Sequence, residues 1–159
     1  MNNQKKILVL CTGNSCRSIM TEGLINHFGK GNFQAFSAGS NPAGYVHPMS
    51  IKTLEKSGIF KTDYKSQSWD EFSDIDFDLV ITVCNNASSE ACPVYLSNAP
   101  KVHWGVEDPA KFKGSEAEIE NEFQRIFAIL AKRTHAMVEK YNHTKKIQLD
   151  ELNLIGNLV

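Results

Sequence analysis

Residues 7–20 read ILVLCTGNSCRSIM: an apolar run that ends at Cys11 and is followed, six positions on, by Arg17. Residues 5–11, KKILVLC, lack helical spacing, as expected of a parallel strand buried on both faces. TGNS then supplies small, turn-tolerant residues, and TEGLINHFG (21–29) has helix-compatible spacing closed by Gly29. A strand, a tight loop and a helix start together form an anion site, because the first helical N–H groups lack partners and the helix dipole adds positive potential. Arg17 adds a planar fork suited to two oxygens of a tetrahedral anion. The loop has neither the G-x-G-x-x-G of dinucleotide sites nor the G-K-[ST] end of nucleotide P-loops. Cys11 therefore has two readings. It is either a small hydrophobe closing a strand, or a nucleophile at an oxyanion site whose field lowers its pKa. In the second reading Ser18 is placed to donate its hydroxyl to the sulfur.

The chain of 159 residues is long enough to bury a core as one domain, and its 42% hydrophobic and 22% charged residues are ordinary for a globular protein. Seventeen Lys and Arg against eighteen Asp and Glu leave no electrostatic footprint for nucleic acid or an anionic membrane, so any anion site is local. No stretch has the apolar length of a membrane span, and the run after MNNQKK is too short for a signal-peptide core. A cytoplasmic location is expected, where cysteines stay reduced unless they take part in redox chemistry. Four cysteines, at 11, 16, 84 and 92, then require a reason. They form no C-x-x-C pair, and Arg17 beside them would repel a cation, so no metal site is expected.

The rest of the chain alternates strand and helix signals. FQAFSAG (33–39), DLVITVC (78–84) and KVHWGV (101–106) read as further strands. Pro48 opens a short helix closed by Gly58, and SWDEF (68–72) makes one helical turn. SEAE at Ser115 is a capping box, followed by a stripe at Ile119, Phe123, Ile126, Phe127, Leu130, Met137 and Tyr141. The tail from His143 is either a further short helix or a loosely docked extension. This is an α/β pattern with a mostly parallel sheet, in one domain spanning 1–159 with its core at about 5–141. Ligands of such sheets sit at the carboxyl ends of strands, where Cys11, Cys84 and the segment after Val106 all fall. His27, His47, His103 and His135, like Trp69 and Trp104, read as surface or packing residues.

CTGNSCRS resembles the phosphate-binding loop of the low-molecular-weight tyrosine phosphatase superfamily, and WGVEDPA resembles its aspartate–proline loop. The resemblance runs from about residue 5 to about 141. It implies a three-layer sandwich around a four-stranded parallel sheet, with Cys11 as nucleophile and Arg17 binding the oxyanion together with Thr12, Gly13, Asn14, Ser15 and Cys16. Asp108 would be the general acid on a mobile loop, stiffened by Pro109. Asn14 would shape the loop, and Cys16 would be structural.

Within the superfamily, CRSIMTEG, SQSWDEF and HWGVEDP are closer to the arsenate reductases. Phosphatases usually place proline at Ile19 and an aromatic residue at Ala110, although the reductases commonly have glutamine at Ile19. CNNASSEACP (84–93) resembles their resolving-cysteine loop. The implied activity is reduction of arsenate to arsenite by attack of Cys11, followed by a thiol–disulfide relay through Cys84 and Cys92. The resemblance implies no tightly bound cofactor and electrons from a dithiol donor, thioredoxin before glutathione–glutaredoxin. Asn14, Glu22 and Ser37 resemble positions that coordinate potassium in some reductases, without a matching acid around Gln67. A monomer is expected, with no nucleic-acid or membrane partner. Eight helical steps would separate Cys84 from Cys92 by about 12 Å at Cα. A disulfide spans at most roughly 6.8 Å. A helix there must unwind on oxidation, eased by Asn85, Asn86, Ser88 and Ser89. The competing readings are a phosphotyrosine or small phosphomonoester hydrolase using Cys11, Arg17 and Asp108, which leaves Cys84 and Cys92 without a role, and a module that binds phosphate or senses oxidants.

Overall fold

The apolar runs meet in one sheet. In this computed structural model, which describes residues 4–61, 63–85 and 92–159, strands β1 (Lys5–Cys11), β2 (Phe33–Gly39), β3 (Leu79–Thr82) and β4 (Lys101–His103) are all parallel, in the order β2-β1-β3-β4. Cys11 is paired with Gly39, Ile7 with Leu79 and Val80 with Lys101. β1 is buried from Ile7 to Cys11 and β3 from end to end, which is why neither shows alternation in sequence. The last two strands are shorter than their apolar runs. Their pairing nevertheless continues: Val83 N donates to Leu10 O (3.0 Å), Trp104 N to Thr82 O (2.7 Å) and Val106 N to Val83 O (3.1 Å).

Helices α1 (Arg17–Phe28), α2 (Pro48–Lys56) and α3 (Glu116–Thr144) pack together on one face. α1 is buried at Ser18, Ile19, Met20, Thr21, Leu24 and Ile25, so it lies between the sheet and α3 and has no wet face to pattern its sequence. α3 begins with the expected reciprocal capping box: Ser115 Oγ accepts from Glu118 N (3.2 Å) and Glu118 Oε1 from Ser115 N (3.0 Å). Its stripe is buried from Phe123 to Tyr141, and the Tyr141 ring lies 4.8 Å from that of Phe33 on β2. Strand alternation turns Phe36 to the opposite face, where it meets Phe72 and Phe77 at 5.3 and 5.6 Å. The single-turn helix Trp69–Phe72 lies on that side.

The ambiguous tail forms a helix, α4 (Leu149–Ile155), docked along the edge strand β4 by buried Leu152 and Ile155. The chain runs from β1 to β2 on one side and to β3 on the other, so strand order reverses at β1. The crevice at the carboxyl ends of β1 and β3 is the place where such sheets hold ligands.

Candidate active site

The loop Thr12–Cys16 closes that crevice. Its carbonyls are turned outward onto neighbouring backbone and hydroxyls. Thr12 O accepts from Asn41 N (3.0 Å), Gly13 O from Ala43 N (2.9 Å) and Ser66 Oγ (3.0 Å), and Ser15 O from His47 N (3.2 Å) and Ser50 Oγ (3.0 Å). Across a trans peptide the following N–H points the other way, so the N–H groups of Gly13, Asn14 and Cys16 face the inside of the loop. α1 starts at Arg17, earlier than its apolar spacing predicts. No side chain caps its first turn, which leaves those N–H groups to an anion. The loop bounds a cavity of about 180 Å³ lined by Cys11, Asn14, Ser15, Cys16, Arg17 and Asp108.

Asn14 fixes the loop's shape. It is fully buried with φ 49°, and every polar atom of its amide is used. Nδ2 donates to Ser18 Oγ (2.8 Å) and Ser37 Oγ (2.9 Å), and Oδ1 accepts from Gln67 N (2.9 Å). Because Ser18 Oγ accepts from Asn14, its own hydrogen is left to donate elsewhere. Ser37 Oγ in turn donates to Glu22 Oε1 (2.6 Å), whose carboxyl is pushed up to about 7 by burial. Asn14, Ser37 and Glu22, the residues matched to potassium positions, are thus turned on one another and on Gln67. Among the described residues, no group of three or more His, Cys, Asp or Glu is placed to hold a metal ion.

All four cysteines are thiols. Cys11 and Cys84 are 5% and 3% exposed and their side chains are close neighbours; Cys84 Sγ also lies 3.6 Å from Thr12 Oγ1. The neighbouring Cys84 side chain and burial push the Cys11 thiol far above the ordinary range, against the pull of the Arg17 guanidinium and the Thr12 backbone N–H. This corrects the expectation that the loop's field alone lowers it. Two adjacent thiols cannot both ionise at ordinary pH, so the pair holds one negative charge at most. Burial pushes Cys16 up to about 11, which leaves it a thiol, in keeping with a structural role.

Arg17 bridges the loop and the aspartate segment. Its Nη1 donates to Val106 O (3.0 Å) and its Nη2 lies 3.5 Å from Asp108 Oδ2, while its buried Nε has no partner among the described residues, as suits a donor for an oxyanion. Asp108 Oδ1 accepts from Ala110 N (3.0 Å), capping the turn Pro109–Lys111. A second cavity, of about 450 Å³, opens beyond Arg17 and Asp108 and is lined also by Cys84, Lys111 and Glu122. His47 caps α2 through Nδ1 and stacks on Phe123 at 5.0 Å, as its packing role predicts.

The structure thus brings Cys11, Arg17, Asp108 and Cys84 to one place. Cys92 is partly buried against the core, and residues 86–91 on the way to it from Cys84, including Asn86, Ser88 and Ser89, lie outside the described residues. Three supporting residues escaped the sequence reading. Ser66 and Gln67 tie down the loop, yet nothing in SQSWDEF announces that role. Gly39 was read only as a strand end, but a Cβ there would stand 2.3 Å from Thr12 O.

This parallel α/β sheet with its anion-binding loop matches the low molecular weight phosphotyrosine protein phosphatase family over residues 6–148, and the chain belongs to that family. Within it, the chain is 37% identical over 137 residues to an arsenate reductase of Halalkalibacterium halodurans, covering 86% of this chain and 97% of that relative. Among solved structures, the arsenate reductase from Archaeoglobus fulgidus superposes with a TM-score of 0.70 at 31% identity, over 84% of this chain and 98% of that one. An arsenate reductase in the phosphate-binding state superposes with a TM-score of 0.71 at 28% identity, over 86% and 98%. The fold expected from sequence, a four-stranded parallel sheet flanked by helices, is the one observed.

Proposed function

We propose that the protein is an arsenate reductase that converts arsenate to arsenite by thiol chemistry. The observation that carries this reading is the second thiol, Cys84, buried next to Cys11 beside the anion loop. A hydrolase needs one sulfur there; a two-electron reduction needs two. Arsenate sits in the loop on inward N–H groups and Arg17. Cys11 attacks arsenic as a thiolate, forming an S–As bond, while Asp108 protonates the departing oxygen. Cys84 then attacks the Cys11 sulfur. The S–As electron pair passes to arsenic, which leaves as arsenite, and a Cys11–Cys84 disulfide remains. Cys92 attacks Cys84, releases the Cys11 thiolate and leaves a Cys84–Cys92 disulfide. A dithiol donor, thioredoxin before glutaredoxin, reduces that bond.

The test is arsenate-dependent oxidation of NADPH through thioredoxin and its reductase, with a glutathione–glutaredoxin supply run in parallel. Cys84→Ser should abolish arsenite release. Cys92→Ser should release arsenite once per enzyme and then stop. Sustained turnover of Cys92→Ser removes the relay, and hydrolysis of phosphomonoesters without any arsenate-dependent oxidation would leave a phosphatase.

A further inference from the structure

Arg133, on α3, is 2% exposed, and no carboxylate accompanies it among the described residues. Its partners are backbone carbonyls. Nη1 donates to Trp104 O (2.7 Å) and Gly105 O (3.2 Å), and Nε donates to Leu158 O (3.0 Å). Burial lowers its pKa, so the charge is held at a cost that the three carbonyls offset. Trp104 and Gly105 open the strap that leads from β4 to Asp108. The next carbonyl along it, Val106 O, is held by Arg17. Two arginines therefore grip three successive carbonyls, one from α3 and one from the start of α1, and Asp108 follows two residues later, beside Arg17.

The far side of this grip is the segment 149–159, which lies beyond the family match. Trp104 is fully buried and its Nε1 donates to Leu152 O (2.9 Å). Lys132 Nζ donates to Val159 O (2.8 Å). At Gly156 the segment passes so close to β4 that an added Cβ would stand 2.6 Å from His103 O.

We propose that Arg133 is a positioning residue: locked by segment 149–159, it fixes the strap Trp104–Val106 so that Asp108 meets the reacting oxygen while Arg17 holds the anion. This rests on the catalytic reading given above. Releasing the grip should misplace the acid and leave the inward N–H groups of the loop intact. Displacements of about 1 Å at a reacting group cost as much as roughly 100-fold in rate.

The experiment compares the full chain with Arg133→Leu, Arg133→Lys and Gly156→Val, well below their melting temperatures. Three quantities are read: kcat for arsenate, arsenate affinity from protection of Cys11 against iodoacetamide, and amide exchange along residues 104–112. Arg133→Leu should lower kcat by about tenfold or more. It should change affinity by less than about threefold and speed exchange within the strap alone. Arg133→Lys should recover part of kcat, and Gly156→Val, which pushes the segment off β4, should reproduce the loss if Arg133→Leu fails to fold. Unchanged kcat with parental strap exchange overturns the proposal, as does a loss matched by exchange rising throughout the chain. Absence of arsenate turnover in the parent chain would tell against the catalytic reading; strap exchange, which needs no turnover, would still decide the role of Arg133.

Discussion

At the scale of single residues, the proposed chemistry rests on two sulfurs sharing one charge. Cys84 is the largest cause of the raised Cys11 pKa, so removing it should release the nucleophile to the opposing pull of Arg17 and the Thr12 N–H. Cys84→Ala should therefore bring the pH midpoint for alkylation of Cys11 down from the parental value, read by iodoacetamide rates across pH; an unchanged or higher midpoint would contradict the pairing. Cys11, Arg17 and Asp108 were legible in sequence because each sits in a local pattern: a strand ending in a small-residue loop, and an acid before proline. The contact between Cys11 and Cys84 was legible only as two strands ending on cysteine. Its effect on the pKa was not, because that depends on a distance between segments 73 positions apart. Arg133 was invisible for a related reason. Its partners are backbone carbonyls, which leave no trace in residue types.

At the scale of elements, the anion loop is held by what surrounds it. β2 ends at Gly39, directly opposite Cys11 in the sheet register, and there the loop backbone crosses the strand at close range. Gly39→Ala has nowhere to place its methyl group except against the Thr12 and Cys11 carbonyls. It should cost about 1–3 kcal/mol of stability by overpacking and weaken arsenate binding, measured by denaturant unfolding and by protection of Cys11. Parental values for both would show that the loop can yield. β1 and β3 were read from unbroken apolar runs, β2 from its alternation and terminal glycine, and α3 from its stripe and capping box. α1 was read four residues short, because its first turn faces the anion site and carries no apolar spacing. α4 escaped a firm reading because a seven-residue helix with two buried positions has too little pattern to separate it from a loop.

At the scale of the molecule, the half-buried Glu22 should make stability depend on pH. Its carboxyl has a folded pKa of about 7 against an ordinary 4.5, so the folded chain binds this proton more tightly than the unfolded one. The contribution is full below about pH 4.5 and is lost as pH rises through about 7, on the order of 3 kcal/mol. Glu22→Gln, which still offers an oxygen to Ser37, should flatten the decline in melting temperature between about pH 5 and 8; an equal decline in both proteins would show that Glu22 is not its source. The fold class was legible in sequence because parallel strands and helices alternate along the chain, whereas the closing of the sheet edge by residues 149–159 depended on one tryptophan, one glycine and one arginine far apart in the chain. The outward-turned carbonyls of the anion loop carry a last consequence. Their partners come from residues 41, 43, 47, 50 and 66, so no short stretch of this chain can assemble the cradle alone. Oxyanion affinity is thus a property of the finished tertiary structure and vanishes from the denatured ensemble. By mass action the substrate then acts as a stabiliser of its own enzyme, by about 2.7 kcal/mol at a hundredfold excess over Kd.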